Sequence, residues 1–180
     1  MASIGAIAHG RLFNEHVYLC WAAIDAGTLR ERGRDMNATS TSELNAPVLE
    51  ELELLEWSVG DDPDTGGRFG MATSAETGAD SMTIVLEVDP GKHIPLHTHS
   101  AEETVIVLNG SAIATAGEAQ GPVSVGSVIV VPAFAKHGFE NTGTETLRLL
   151  GFFPAGAVVN WFDGKVAPFG VEALTLPLVS

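Results

Sequence analysis

His97 and His99 lie two residues apart in Leu96-His97-Thr98-His99, a spacing that on a strand aims both imidazoles to one face. Glu103 follows four residues later and brings a hard carboxylate oxygen toward the same point. A second stretch, residues 126–141, supplies a fourth candidate in His137. Imidazole nitrogen combined with carboxylate oxygen favours a first-row divalent metal, whereas thiolate-rich sets suit structural zinc. Three imidazoles and one carboxylate fill four positions, so an octahedral ion keeps two adjacent places for water, dioxygen or a bidentate substrate. The expected cofactor is therefore one divalent transition metal. Fe2+, Mn2+, Ni2+, Co2+, Cu2+ and Zn2+ all fit, because affinity follows a common order that does not identify the working ion. Ligation needs neutral imidazoles, so occupancy should fall as pH drops below about 6.5.

These side chains need short, well-registered strands to hold them. Asn109-Gly110 reads as a tight hairpin turn directly after the Glu103 strand. Glu102 could replace Glu103 only if a bulge shifts the register by one. His93 shares the parity of His97 and His99 but lies on the approach to the strand, which suggests a rim or hydrogen-bonding role. Lys136 should alternate outward beside His137. Parity nominates Val105 and Val107 as cavity walls, or Ile106 and Leu108 if a bulge flips the alternation, with Phe139, Phe153 and Trp161 from later strands. Phe134, in the loop before His137, is placed to cap the mouth of the pocket.

Short runs rich in Val, Ile and Thr recur between turn signals, with strands expected near residues 68–74, 81–88, 97–99, 103–108, 111–115, 122–125, 127–131, 137–140, 146–153 and 158–162. Many short strands at such intervals define an all-β sandwich or barrel. Upstream, Leu52 and Leu54 alternate with Glu51 and Glu53, as in an edge strand with one wet face, although residues 50–56 also suit a short helix, and Trp57 is a core candidate. Residues 60–67 are turn-like; their acidic cluster lacks the spacing of a calcium loop. Near the C-terminus Leu174, Leu176 and Leu178 alternate, as a strand exchanged between subunits would.

The two site-bearing stretches resemble the paired motifs of the cupin superfamily. Residues 91–110 match the first motif, G(X)5HXH(X)3,4E(X)6G, at Gly91, His97, His99, Glu103 and Gly110. Residues 126–141 match the second, G(X)5PXG(X)2H(X)3N, at Gly126, Pro132, His137 and Asn141, with Phe134 where the pattern has glycine. That departure bears on the local turn, since glycine often marks a positive φ. The resemblance covers about residues 48–162. It implies an all-β cupin jelly-roll β-barrel with an N-terminal extension, metal ligation by His97, His99, Glu103 and His137, and a homodimer. It divides the chain into an arm at 1–47, a barrel at 48–165 and a tail at 166–180.

The resemblance also ranks activities. A metal-dependent dioxygenase acting on a chelating enol or phenol leads, with Glu103 as the catalytic base. Redox-neutral isomerase, cyclase or decarboxylase chemistry and a non-catalytic metal- or ligand-binding barrel are the alternatives. Some cupin lyases place a tyrosine shortly after the glutamate, and residues 104–108 offer none, which disfavours that chemistry.

The resemblance implies a small-molecule substrate, and composition argues against other classes of partner. The 180 residues suit one well-buried domain, and 45% hydrophobic content suits a packed core. The formal net charge of −14 opposes nucleic-acid and anionic-membrane surfaces. No apolar run approaches the length of about 18 residues or more that marks a membrane span. One cysteine, Cys20, excludes an intramolecular disulfide and fits a cytoplasmic location. The charge is unevenly placed: residues 1–35 hold four basic and four acidic side chains, and the remainder holds five basic and nineteen acidic. The shift nominates Met36 as an alternative start of translation.

Overall fold

The computed structural model describes residues 52–178, so the arm expected at 1–47 and the alternative start at Met36 lie outside the described residues. The regular structure of the described residues is twelve strands and a single 3-10 turn at Ala75–Thr77. They are β1 (Leu55–Val59), β2 (Gly67–Thr73), β3 (Met82–Val88), β4 (His93–His99), β5 (Glu103–Asn109), β6 (Ser111–Ala116), β7 (Ala119–Ser124), β8 (Val128–Val131), β9 (His137–Glu140), β10 (Leu147–Phe153), β11 (Val158–Ala167) and β12 (Val171–Leu176).

The strands pair in the order β7-β6-β9-β4-β11-β1-β2-β3-β10-β5-β8, with β12 added to β11, and each strand pair is antiparallel. This is the jelly-roll arrangement of an all-β cupin barrel, in which two curled sheets face each other across a core. Alternation decides which side chains enter that core. On β5, Glu103, Val105 and Val107 are buried while Leu108 and Asn109 are exposed, and on β10 Leu147, Leu149, Gly151 and Phe153 are buried while Arg148 and Phe152 are exposed. Val105 and Val107 therefore face inward, and no bulge transfers that role to Ile106 and Leu108.

Two parts of the chain differ from the sequence reading. The segment around Trp57 is not an edge, because β1 pairs with β2 on one side and β11 on the other; Trp57 is buried. The C-terminal alternation also closes within the chain. β12 pairs with β11 through Val158↔Leu176 and Asn160↔Leu174, and Leu174 and Leu176 are buried in this barrel. β11 itself continues to Ala167, past the expected end of the barrel.

The connections hold their shape through buried polar groups. Asn141 is almost fully buried; its Nδ2 donates to Val88 O and Glu145 O at 2.8 and 2.9 Å, and its Oδ1 accepts from Gly143 N at 3.0 Å. That network ties the end of β9 to β3 and to the turn before β10, which explains an asparagine at this point without any chemistry. Gly110, between β5 and β6, adopts φ 78, and a Cβ there would stand 3.0 Å from Leu147 Cα. The glycine turn is present, but it is not the hairpin expected: β5 pairs with β10 and β8 and β6 with β7 and β9, so the turn carries the chain from one sheet to the other.

Candidate metal centre

β4, β5 and β9 bring His97, His99, Glu103 and His137 to one end of the interior, and all four are buried. His97 and His99 follow the two-residue strand period, and the β4–β9 ladder sets His97 directly against His137. One candidate donor atom from each of the three imidazoles lies within 4.8 Å of the other two. The ring centroids are 4.7 Å apart for His97 and His99, 4.2 Å for His97 and His137, and 4.5 Å for His99 and His137.

Glu103 closes the group on one side. Its Oε2 lies 3.4 Å from His99 Nδ1 and 3.3 Å from His137 Nε2. Yet His99 Nδ1 and His137 Nε2 make no hydrogen bond, although both are buried. Buried nitrogens left without partners are costly unless something outside the protein completes them. Cis ligands around an ion with bonds of about 2.1 Å stand roughly 3 Å apart, close to these separations. The donors therefore converge on a shared point rather than on one another, and a divalent metal fits there.

Backbone carbonyls orient two of the rings. His97 Nδ1 donates to Pro95 O at 2.9 Å, and His137 Nδ1 donates to Ala135 O at 3.0 Å, which fixes both tautomers with Nε2 left to ligate. Phe162 stacks on His97 at 4.8 Å with planes 9° apart, and Phe153 meets His99 edge-on at 4.9 Å. Burial, with the His137 ring beside it, pushes the His97 pKa down to about 3. Burial also holds His99 far below the usual imidazole range, with His97 and His137 adding to the effect. Both rings are thus neutral across the physiological range, the state that ligation requires.

The donors open on a cavity of about 60 Å3. A single water needs about 10–15 Å3, so the space suits a small ligand. Its walls are largely apolar, with Trp57, Phe69, Phe139, Phe153 and Phe162 among them, and Asn160 as a polar exception. Phe139, Phe153 and Val105 stand where parity placed them.

Trp161 does not. The β4–β11 register sets Phe162 against His97, Trp161 against Thr98 and Asn160 against His99. Trp161 therefore faces outward and Phe162 takes the inner place. Phe134 is also outside: it is exposed, meets Trp161 at 5.9 Å and does not line the cavity, so it is no cap over the pocket.

The remaining candidates resolve simply. Glu102 and Lys136 are exposed. A register shift between Ile94 and His97 takes His93 out of the donor face; its backbone instead bonds Asp64 O and Gly66 N, both at 2.9 Å. Sequence reasoning missed Gly151. Its absent side chain makes room for Glu103, since a Cβ there would collide with Oε1 and stand 2.9 Å from Ile84 Cγ2. The only hint in the sequence was a glycine inside an otherwise apolar strand, a mark of close approach.

A curled all-β scaffold with clustered imidazoles and a carboxylate at one end has the form of a metal-binding cupin barrel. Residues 84–153 match the family model described as a cupin domain. Auxin-binding protein 1 of Arabidopsis thaliana is 33% identical over 102 residues, covering 48% of this chain and 52% of that protein. The chain thus spans about half the length of the curated relative it matches. Two solved structures share the fold. A predicted oxalate decarboxylase from Thermotoga maritima aligns with TM-score 0.53 at 21% identity, over 59% of this chain and 97% of that one. A cupin-2 domain from Rhodospirillum rubrum aligns with TM-score 0.51 at 23% identity, over 60% and 76%. The cupin likeness thus rests on residues 84–153, the stretch that carries the clustered imidazoles and Glu103. Among the described residues no helix is long and apolar enough to cross a membrane.

Proposed function

We propose that this protein is a metal-dependent enzyme acting on a small chelating enol or phenol, with dioxygenation as the leading reaction. The observation that carries the reading is the pair of buried, unpartnered imidazole nitrogens beside Glu103, opening on a small apolar cavity. His97, His99 and His137, with Glu103, would hold the metal. When bound, it would supply Lewis acidity to the chelating oxygens and, if redox-active, electrons for dioxygen chemistry.

The chain's own groups have separate tasks. Among the described residues Glu103 is the only carboxylate on the cavity wall, so it is the group to take the proton that an enol or phenol loses on chelation. The aromatic walls exclude bulk water, which strengthens every polar contact inside. Phe162, stacked on His97, holds that ring in plane and gives a planar substrate a surface to lie against.

A second reading is favoured by the similarity to an auxin-binding protein: the barrel would hold a small ligand without turnover. Metal content of protein purified without added metal, followed by oxygen uptake over a panel of small enols and phenols, separates the two. The enzyme reading expects uptake that disappears in His97→Ala. Retained metal and ligand binding with no uptake and no product would overturn it in favour of binding alone.

A further inference from the structure

Asn160 interrupts the apolar wall of the cavity. The β4–β11 register sets it directly opposite His99, on the inner face that carries the donors. Directly opposed residues on neighbouring antiparallel strands have Cβ atoms about 5 Å apart, so the carboxamide stands beside the metal centre. It is 5% exposed. On its other side β11 pairs with β12 through Asn160↔Leu174.

The two ends of the carboxamide are used differently. Nδ2 donates to Leu174 O at 3.0 Å and, more weakly, to Val158 O at 3.5 Å, which turns the nitrogen toward strand backbone and settles the orientation of the amide. Oδ1 accepts no hydrogen bond from the described residues. Among them the partnerless buried side-chain atoms that are fully enclosed are Trp57 Nε1, Thr73 Oγ1, His99 Nδ1 and His137 Nε2, and Asn160 Oδ1 is not one of these. The oxygen therefore keeps accessible surface, and the space that Asn160 lines is the metal cavity. An amide oxygen accepts and cannot donate, so what it asks of a ligand is an N–H or O–H. Among the described residues no lysine or arginine lines the cavity to supply one.

Resting on the functional reading above, we propose that Asn160 is a specificity-determining residue of this cavity: its Oδ1 accepts a hydrogen bond from a neutral N–H or O–H that the substrate carries beside its chelating oxygens. The substrate is then a small enol or phenol with one proton donor that survives chelation. An ether, a ketone or a second carboxylate at that place meets the lone pairs of Oδ1 and leaves them unpaired, which lowers affinity.

The test uses the full chain loaded with zinc and two small probes, acetohydroxamate and N-methylacetohydroxamate. Both chelate as monoanions through the same two oxygens, and they differ in one N–H next to those oxygens. Calorimetry compares wild type with Asn160→Leu, which keeps a similar volume and removes the acceptor. Asn160→Leu should bind acetohydroxamate about fivefold more weakly, as loss of one neutral hydrogen bond implies, and should bind the N-methyl probe no less tightly. A second measurement needs no variant: in wild type the side-chain carbonyl 13C resonance of Asn160 should move downfield with acetohydroxamate and not with its N-methyl analogue. Equal changes in affinity for the two probes, or a carbonyl resonance that responds to both alike, would overturn this inference and leave the metal centre standing. Failure to take up zinc, or uptake of zinc with no binding of either probe, would overturn the functional reading and this inference with it.

Discussion

Residues 91–110 and residues 126–141 each deliver an imidazole pinned to a carbonyl two residues back, His97 to Pro95 O and His137 to Ala135 O. They turn differently. The first segment closes on a left-handed glycine, Gly110, where a side chain would press on the backbone of Leu147. The second adopts a left-handed backbone at Phe134, φ 63, with a large side chain in place. Phe134 manages this because its ring points to solvent and rests on Trp161, while its N–H donates to His99 O at 2.8 Å. The left-handed conformation is common to both turns. Glycine is required only where a Cβ has nowhere to go.

Removing one imidazole from either segment is the strongest way to break the equivalence. His97→Ala and His137→Ala should each weaken metal binding by about a thousandfold, beyond the roughly 10–100-fold cost of losing a supporting partner. Competition with a chromophoric chelator reads this directly. If His137→Ala binds metal as wild type does, the second segment is not part of the centre.

Acid should act through the first segment. A group whose folded pKa is depressed takes up its proton in the unfolded state first, so for metal-free protein stability rises with pH through the interval between the two values. For His97 that window runs from about 3 to the ordinary 6.5, and His99 is shifted in the same direction. Each contributes about 1.4 kcal/mol per pH unit well inside the window, so the pair should cost on the order of 4 kcal/mol between pH 7 and pH 5. Chemical denaturation of chelator-treated protein at the two pH values measures it. Replacing His97 by Leu should remove about half the slope, and an unchanged slope would mean that His97 is not held neutral by burial.

Gly151 sharpens the comparison from outside both segments, because Glu103 owes its place to a glycine on β10. Gly151→Ala should displace the carboxylate and lower metal affinity about tenfold, within the range for a supporting residue. Its unfolding free energy should fall as well, because Ile84 Cγ2, 2.9 Å from the added Cβ, must yield along with the end of the Glu103 side chain. Equal affinity in the variant would place Glu103 outside the donor set.

Much of this was legible in the residues. The two-residue histidine spacing, the carboxylate four residues on and the apolar alternation around them depend only on strand periodicity, which is local and strong. The positions of Trp161, Phe134 and β12 were not legible, because each depends on pairing between strands far apart in sequence. Trp161 faces out because β11 registers against β4 with Phe162 at His97, and no pattern within residues 158–162 fixes that register. Leu174 and Leu176 alternate equally well for any partner strand, and only the ladder to Asn160 and Val158 settles which one they meet. Gly151 was hidden for the same reason: its significance lies in the Glu103 carboxylate, a neighbour from another strand.

The smallest effect separates the two turns themselves. Gly110→Ala should cost about 2 kcal/mol, because it adds the left-handed penalty of roughly 1–2 kcal/mol to a close approach on the Leu147 backbone. Phe134→Gly should be nearly neutral. Relief of the same penalty is offset by the extra freedom that glycine gives the unfolded chain and by loss of the aromatic contact to Trp161, each about 1 kcal/mol. Phe134→Ala loses the ring and keeps the strained Cβ, so it should be less stable than Phe134→Gly by about 1 kcal/mol. Denaturant midpoints of the three variants give the order. Equal stability of Phe134→Ala and Phe134→Gly would mean that the second turn relaxes out of the left-handed region once the ring is gone, and that the Trp161 contact, rather than the His99 carbonyl, holds it there.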